Sequence, residues 1–180
     1  METLKALAER RSIRKYQDKP VTAEQIQEII DIARFSPTWK NSQTVRYYAI
    51  LDKALKDKIA EEGTLNFSKN ANNIRNTPAL VVVATVDGIA GYEKDGTPTT
   101  AKGSHWQSFD AGIACQSVCL SAYDKGLGTL IMGIYDEAKI AELIALPEGQ
   151  SISALIAIGY ADESPNAPKR KALDEILTIL

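Results

Sequence analysis

Apolar residues recur along this chain in two rhythms. Leu4, Leu7 and Ala8 would share the inner side of a first helix running from about Glu2 to Arg10. Ile26, Ile29, Ile30 and Ala33 repeat at helical spacing behind Thr22-Ala-Glu-Gln25, a capping box. A second helix therefore starts near Ala23 and must stop near Ser36-Pro37. The stretch VRYYAIL, Val45 to Leu51, has the β-branched and aromatic make-up of a strand. Asp52 then opens a helix carrying Leu55 and Ile59, which Gly63 ends. A polar, asparagine-rich segment, SKNANNIRN, leads to Pro78 and the buried-strand pattern ALVVVAT.

Residues Asp87 to Ser104 show little periodicity and predict a long surface excursion of the kind that borders sites. From Trp106 to about Lys125, Phe109, Ile113, Gln116, Cys119, Leu120 and Ala122 spread around a helix that Gly126 stops. Such a circumference predicts a central helix packed on several sides. GTLIMGIY is a strand, Asp136 caps the helix DEAKIAELIAL, and Pro147-Glu-Gly149 turns into the strand ISALIAIGYA. The end is polar, DESPNAPKRK, and then apolar, LDEILTIL. That last stretch has no strand partner beside it in sequence, which suggests pairing with a second subunit. Helices outnumber strands and do not alternate with them singly. The pattern predicts one α+β domain over residues 1–180, a mixed or antiparallel sheet covered by helices.

Composition narrows the function classes. The chain has 180 residues, 44% hydrophobic and 24% charged, with a formal charge of -2. That charge attracts neither nucleic acid nor anionic lipid as a whole, so any anion site must be local. The N-terminus lacks the apolar stretch of a signal peptide, and no run is long enough to cross a bilayer, so a cytoplasmic protein is expected. Cys115 and Cys119 lie four apart and, with one histidine, make a poor metal site; they read as small buried hydrophobes.

Candidate chemistry is narrower still. Gly126-Leu-Gly128 lacks the third glycine of a dinucleotide fingerprint, and Gly91 to Gly96 lacks the Lys-Ser/Thr pair of a phosphate loop. No nucleophile elbow occurs, and the single His105 argues against a serine triad. Any reaction would therefore need a bound cofactor. What stands out is ERRSIRKYQDKP. Arginine forks, a serine hydroxyl and backbone N–H groups match phosphate oxygens, and an extended backbone would aim Arg10, Ser12 and Arg14 to one side. The alternative is a basic helix end that complements its own dipole. A second basic cluster, Lys169-Arg170-Lys171, favours convergence of both on one dianion.

Five segments in order carry a resemblance: RRSIRKY, ARFSPTWKNSQ, DAGIACQSVCLSAYDKGLGT, the strand ending at Gly133, and IAIGYADESPNAPKRK. Together they resemble the flavin-dependent nitroreductase family over nearly the whole chain. The resemblance implies an α+β homodimer with FMN at the subunit interface, reduced by NADH or NADPH in ping-pong turnover with a small electrophilic acceptor. It implies that Arg10, Arg11, Ser12 and Arg14, with Lys169 and Arg170, hold the FMN phosphate. Ser36, Pro37, Thr38 and Asn41 match the segment the partner subunit presents to the flavin. Asn70, with Asn73, matches the contact to the ribityl and pyrimidine region, and Met132 and Gly133 the backbone near N5. Nitroaromatics and quinones are the implied acceptors; reductive dehalogenation or flavin processing on the same fold, or phosphorylated-ligand binding without turnover, are the alternatives.

The departures bear on the acceptor. Thr38-Trp39-Lys40 stands where many relatives have small residues, and Thr44 replaces a common proline. Trp39 either roofs the site and stacks on an aromatic substrate or packs at the dimer interface. Lys40 either meets an acidic substrate or a nicotinamide phosphate or is solvated. His105-Trp106 either borders the acceptor side or simply opens a helix and fills core space.

Overall fold

The computed structural model describes residues 3–180, so Glu2, expected at the start of the first helix, lies outside the described residues. In chain order come α1 (Thr3–Glu9), α2 (Ala23–Ala33), a short 3-10 turn (Trp39–Asn41), β1 (Val45–Ile50), α3 (Lys53–Glu62), α4 (Ser68–Asn76) and β2 (Ala79–Val86). They are followed by α5 (His105–Asp124), β3 (Gly128–Met132), α6 (Glu137–Leu143), β4 (Gln150–Gly159) and a 3-10 turn at Leu173–Glu175. The strands form a sheet in the order β1-β2-β4-β3 with every pairing antiparallel. The expected α+β class holds, in its antiparallel form.

The continuous apolar run of β2 has a simple cause: both faces of the sheet are covered. Val81, Val83, Ile156 and Ile158 point to one side, where Ile26, Ile29, Ala33, Cys115, Val118 and Ala122 of α2 and α5 meet them. Leu80, Val82, Leu155 and Ala157 point to the other, against Ile59 of α3, Ile74 of α4 and Ile140 of α6. Alternate residues of one strand thus enter two cores, and neither face can be polar.

Local signals set the helix ends. The capping box of α2 is formed, the Gln25 N–H donating to Thr22 Oγ1 and the Thr22 N–H to Gln25 Oε1. Asp52 and Asp136 accept from the N–H groups of Leu55 and Lys139 at the starts of α3 and α6. Gly126, at φ 75°, lets the Gly126 and Leu127 N–H groups reach the carbonyls of Tyr123 and Ala122, which closes α5 in a Schellman motif.

Two expectations need correction, and one polar segment left unassigned by the pattern is a helix. In α1 the inward residue is Ala6; Leu4 is 80% exposed, and Leu7 and Ala8 are exposed too. The seven-residue helix offers only a narrow contact to α5, which a small side chain fills. SKNANNIRN is a helix, α4, because Ala71 and Ile74 fall three apart and bury against the core. Phe109, on the otherwise well-packed α5, is 57% exposed. Among the described residues no helix is long and apolar enough to cross a membrane.

Cys115 and Cys119 are free and buried, as expected. Burial pushes the Cys115 thiol up to about 12 and the Cys119 thiol up as well. Only the thiolate is nucleophilic. The native protein should therefore resist a disulfide-exchange reagent at neutral pH and release two equivalents of chromophore on unfolding. Rapid native reaction at either cysteine would contradict the burial.

Candidate functional site

The arginine-rich segment leaves α1 and runs extended along the open edge of β3. Ser12 bridges Thr129 in parallel fashion, the Ile13 N–H donates to the Thr129 carbonyl at 2.9 Å, and Tyr16 bridges Ala161. The Asp162 N–H returns a bond to the Lys15 carbonyl at 3.0 Å. Glu163 adds a tie with no counterpart in the local sequence pattern: its Oε1 accepts from the N–H groups of both Arg14 and Lys15. Ile13 turns inward, 6% exposed, onto Gly128. The residues on either side of it are thereby fixed by backbone rather than by their own charges.

Arg10, Arg11, Ser12 and Arg14 border a cavity of about 300 Å³ with Arg170 and three residues of the tail. Among the described residues no carboxylate lines it. The two basic clusters do converge, through Arg170; Lys169 is exposed and does not line the cavity. Arg10 Nε is buried without a hydrogen-bond partner among the described residues. Leaving such a donor unpaired is costly, and an anion oxygen would satisfy it. Arg11 is partly spoken for, its Nη1 donating to the carbonyls of Ala8 and Arg10 at the end of α1.

Arg14 also borders a second cavity, of about 550 Å³, with Asn70 and Asn73 of α4 and the end of β3 from Leu130 to Ile134. Three residues apart on one helix, the two asparagines share a face and are both buried. Asn70 Nδ2 donates to the Ile134 carbonyl at 2.9 Å, which pins α4 to the chain leaving β3. Met132 sends its side chain into the core, so only its backbone serves the cavity. Gly133 is exposed, and a Cβ placed there would meet nothing within 4 Å. Nothing in the packing of this chain requires that glycine; the space it leaves open belongs to the cavity. A planar polar ligand with a phosphate tail fits both observations, the unpaired Arg10 donor at one end and the bare backbone of Gly133 at the other.

The remaining candidates lie elsewhere in the subunit. Ser36 donates to the Ala33 carbonyl and bonds Ser117 of α5 at 2.7 Å. Ser36 and Thr38 border a separate cavity of about 240 Å³ that shares no residue with those lined by Arg14. Lys40, Asn41 and Gln43 all have left-handed backbone, at φ 45°, 54° and 50°. Such conformations cost non-glycine residues of the order of 1 kcal/mol or more each. Thr38 Oγ1, accepting from the Gln43 N–H, helps hold the turn. Asp110 of α5, 2% exposed, accepts the Trp39 N–H with both carboxylate oxygens, and burial raises its carboxyl above the usual carboxylate range.

Trp39 packs on Trp106 with ring centroids 4.8 Å apart, and Trp106 meets Phe109 edge-on at 5.5 Å. Lys40 pairs with Glu93 of the long excursion at 3.3 Å. Exposed His105 opens α5, while Trp106 donates through Nε1 to Thr100 Oγ1. Within one subunit the Trp39–Trp106 pair is thus an aromatic seam between α5, the 3-10 turn and the excursion.

A four-stranded antiparallel sheet clad by helices, with an arginine-lined cavity and a polar slot that share Arg14 at one sheet edge, defines an α+β protein with a site suited to a phosphorylated ligand. A family model described as the nitroreductase family matches residues 7–160. The FMN reductase (NAD(P)H) of Bacillus subtilis is 29% identical over 182 residues, 93% of this chain and 70% of that protein. The iodotyrosine deiodinase of Nematostella vectensis is 23% identical over 202 residues, 99% of this chain and 75% of that one. The crystal structure of a nitroreductase family protein from Streptococcus pneumoniae matches with a TM-score of 0.86 at 20% identity, covering 99% of this chain and 100% of that chain. The chain belongs to the nitroreductase family.

Proposed function

We propose that this protein is an FMN-dependent NAD(P)H oxidoreductase that reduces a small electrophilic acceptor of the nitroaromatic or quinone type. The observation that carries the proposal is the position of Arg14, which lines both the arginine cavity and the asparagine slot. One phosphorylated ligand long enough to occupy both would be held at each end. Arg10, Ser12, Arg14 and Arg170 would take the phosphate, with Arg11 in support and Lys169 contributing only long-range charge. Asn70 and Asn73 would meet the polar chain and pyrimidine edge, and the Met132–Gly133 backbone would face the ring. When bound, FMN supplies the hydride chemistry, accepting from NADH or NADPH and passing on to the acceptor. The protein's share is to neutralise the phosphate, orient the ring and place N–H donors and positive charge where negative charge develops.

Ser36, Pro37, Thr38 and Asn41 do not reach that slot from within the same subunit. They fit a homodimer in which each subunit covers the other's flavin. Two features support this arrangement. Ile32, Phe35 and Phe109 are large exposed hydrophobics. Gly112 is exposed in the middle of α5 with open space where a Cβ would stand, at a cost of about 1 kcal/mol relative to alanine. A close backbone approach by a second copy gives that glycine a reason. In the dimer, Trp39 and Lys40 would stand at the mouth of the partner's slot and act on the choice of acceptor. The exposed tail, Leu173 to Leu180, would pack on the other subunit.

The purified protein should be yellow and should bleach anaerobically with NADH or NADPH; reoxidation by a nitroaromatic, a quinone or a halogenated phenol then identifies the acceptor. Colourless protein that cannot be reconstituted with FMN would defeat the proposal. Yellow protein that neither nicotinamide reduces would mark a flavin-binding role without turnover.

A further inference from the structure

A further cavity, of about 760 Å³, is distinct from those just described. It lies on the other side of the extended segment, where residues 14–21 cross the start of α3 and the end of α4. Lys15, Lys19, Lys53, Lys56 and Arg75 border it together with Arg14, against two acidic side chains, Asp18 and Asp162. Arg14 apart, none of these cations touches the arginine cavity or the asparagine slot. So strong a local excess of positive charge is unexpected in a chain whose formal charge is -2.

Its members are not equally free. Lys53 pairs with Asp57, and the Lys19 ammonium lies over the Tyr160 ring at 3.7 Å. Among the described residues, Lys15 and Arg75 have no acidic partner. Lys56 is more telling. It is 5% exposed, and its Nζ gives two bonds, to the carbonyls of Thr77 and Pro78, both at 2.7 Å. An ammonium has three donors, so one remains for the cavity. Desolvation lowers its pKa, the sign of a buried charge that is incompletely compensated. Val21, Leu51, Pro20 and Pro78 supply apolar walls between the charges.

We infer that this groove is a second anion site, suited to a ligand that carries two linked phosphates beside a flat apolar group, as a nucleoside diphosphate does. Arg75, Lys15 and Lys56 would meet the phosphates, and the apolar residues would receive the base. The site is independent of the flavin assignment, since, Arg14 apart, its charges lie outside that slot.

Calorimetric titration of ADP into the protein as purified, at low salt, tests it. Saturable binding near one ADP per chain is expected. Arg75→Gln and Lys15→Gln should each weaken it about tenfold, the usual loss for one charge-assisted hydrogen bond. Lys58→Gln, an exposed charge outside the groove, should change it by less than about twofold. Competition between ADP and NADPH in steady-state turnover would assign the groove to the diphosphate of the electron donor; ADP binding without competition would assign it to a separate nucleotide. No binding of ADP, or binding indifferent to both groove substitutions, would overturn the inference.

Discussion

Replacing Arg14 by alanine is expected to lower FMN affinity by about 10- to 100-fold, the loss of one charge-assisted or bidentate arginine contact to phosphate. The backbone explains why the effect should be specific. The bond from Arg14 to Glu163 uses the main-chain N–H, which alanine keeps. Arg14→Ala should therefore remove the guanidinium from the junction of the two cavities without unseating the segment. Lys15→Ala is the control. Its side chain borders only the groove on the opposite side, and its N–H to Glu163 also survives. Quenching of flavin fluorescence on titration into apoprotein measures both variants. Equal losses would show that the two sides of the extended segment are not functionally distinct.

A second large effect is expected far from any charge. A Cβ built on Gly128 stands 2.5 Å from Ile13 Cγ1 and 2.9 Å from Ile13 Cβ. Ile13 cannot swing aside easily, because it is β-branched and its own N–H is bonded to Thr129. Gly128→Ala must push the extended segment off the edge of β3 or distort the strand. Overpacking of this kind costs about 1–3 kcal/mol, a fall of roughly 2–12 °C in Tm for a chain of this size. Because the arginines hang from the same segment, FMN affinity should fall with it. Ile13→Ala in the Gly128→Ala background should recover part of the affinity; a double-mutant cycle with no coupling would place the strain elsewhere.

Much of this architecture is legible from short-range chemistry. Thr22 with Gln25, Asp52, Asp136 and Gly126 each act within a few residues of their own position, and the caps they predict are formed. The two-sided burial of β2 follows from its unbroken apolar run. The helix α4 is harder to see, since asparagine has poor helix propensity and four of its nine residues are asparagine. Its only apolar signal is the pair Ala71 and Ile74. Leu4 and Leu7 mislead for the opposite reason: their spacing is helical, but a single subunit offers nothing to cover them.

The site divides along the same line. Arg10, Ser12 and Arg14 can be picked out because an extended backbone and a cluster of charge are both local properties. Arg170 joins them only through the fold. Glu163 and Asp110, which seat the arginine segment and the Trp39 turn, carry no local mark of those tasks. Each acts on a backbone N–H roughly 70 to 150 residues away. Asp110 has one weak signal, a carboxylate in the largely apolar course of α5.

The strand order has a consequence for how the protein is assembled in time. β2 lies beside β4, yet α5, β3 and α6 separate them in the chain. The two central strands meet only after a loop of more than sixty residues has closed, and pairings so distant in sequence slow folding. The arginine segment docks on Thr129 of β3 and on residues just beyond β4, which lie over a hundred residues further along the chain. Assembly of the arginine cavity is thus a late product of folding. A nascent chain would hold its arginines dispersed until the last strand is in register.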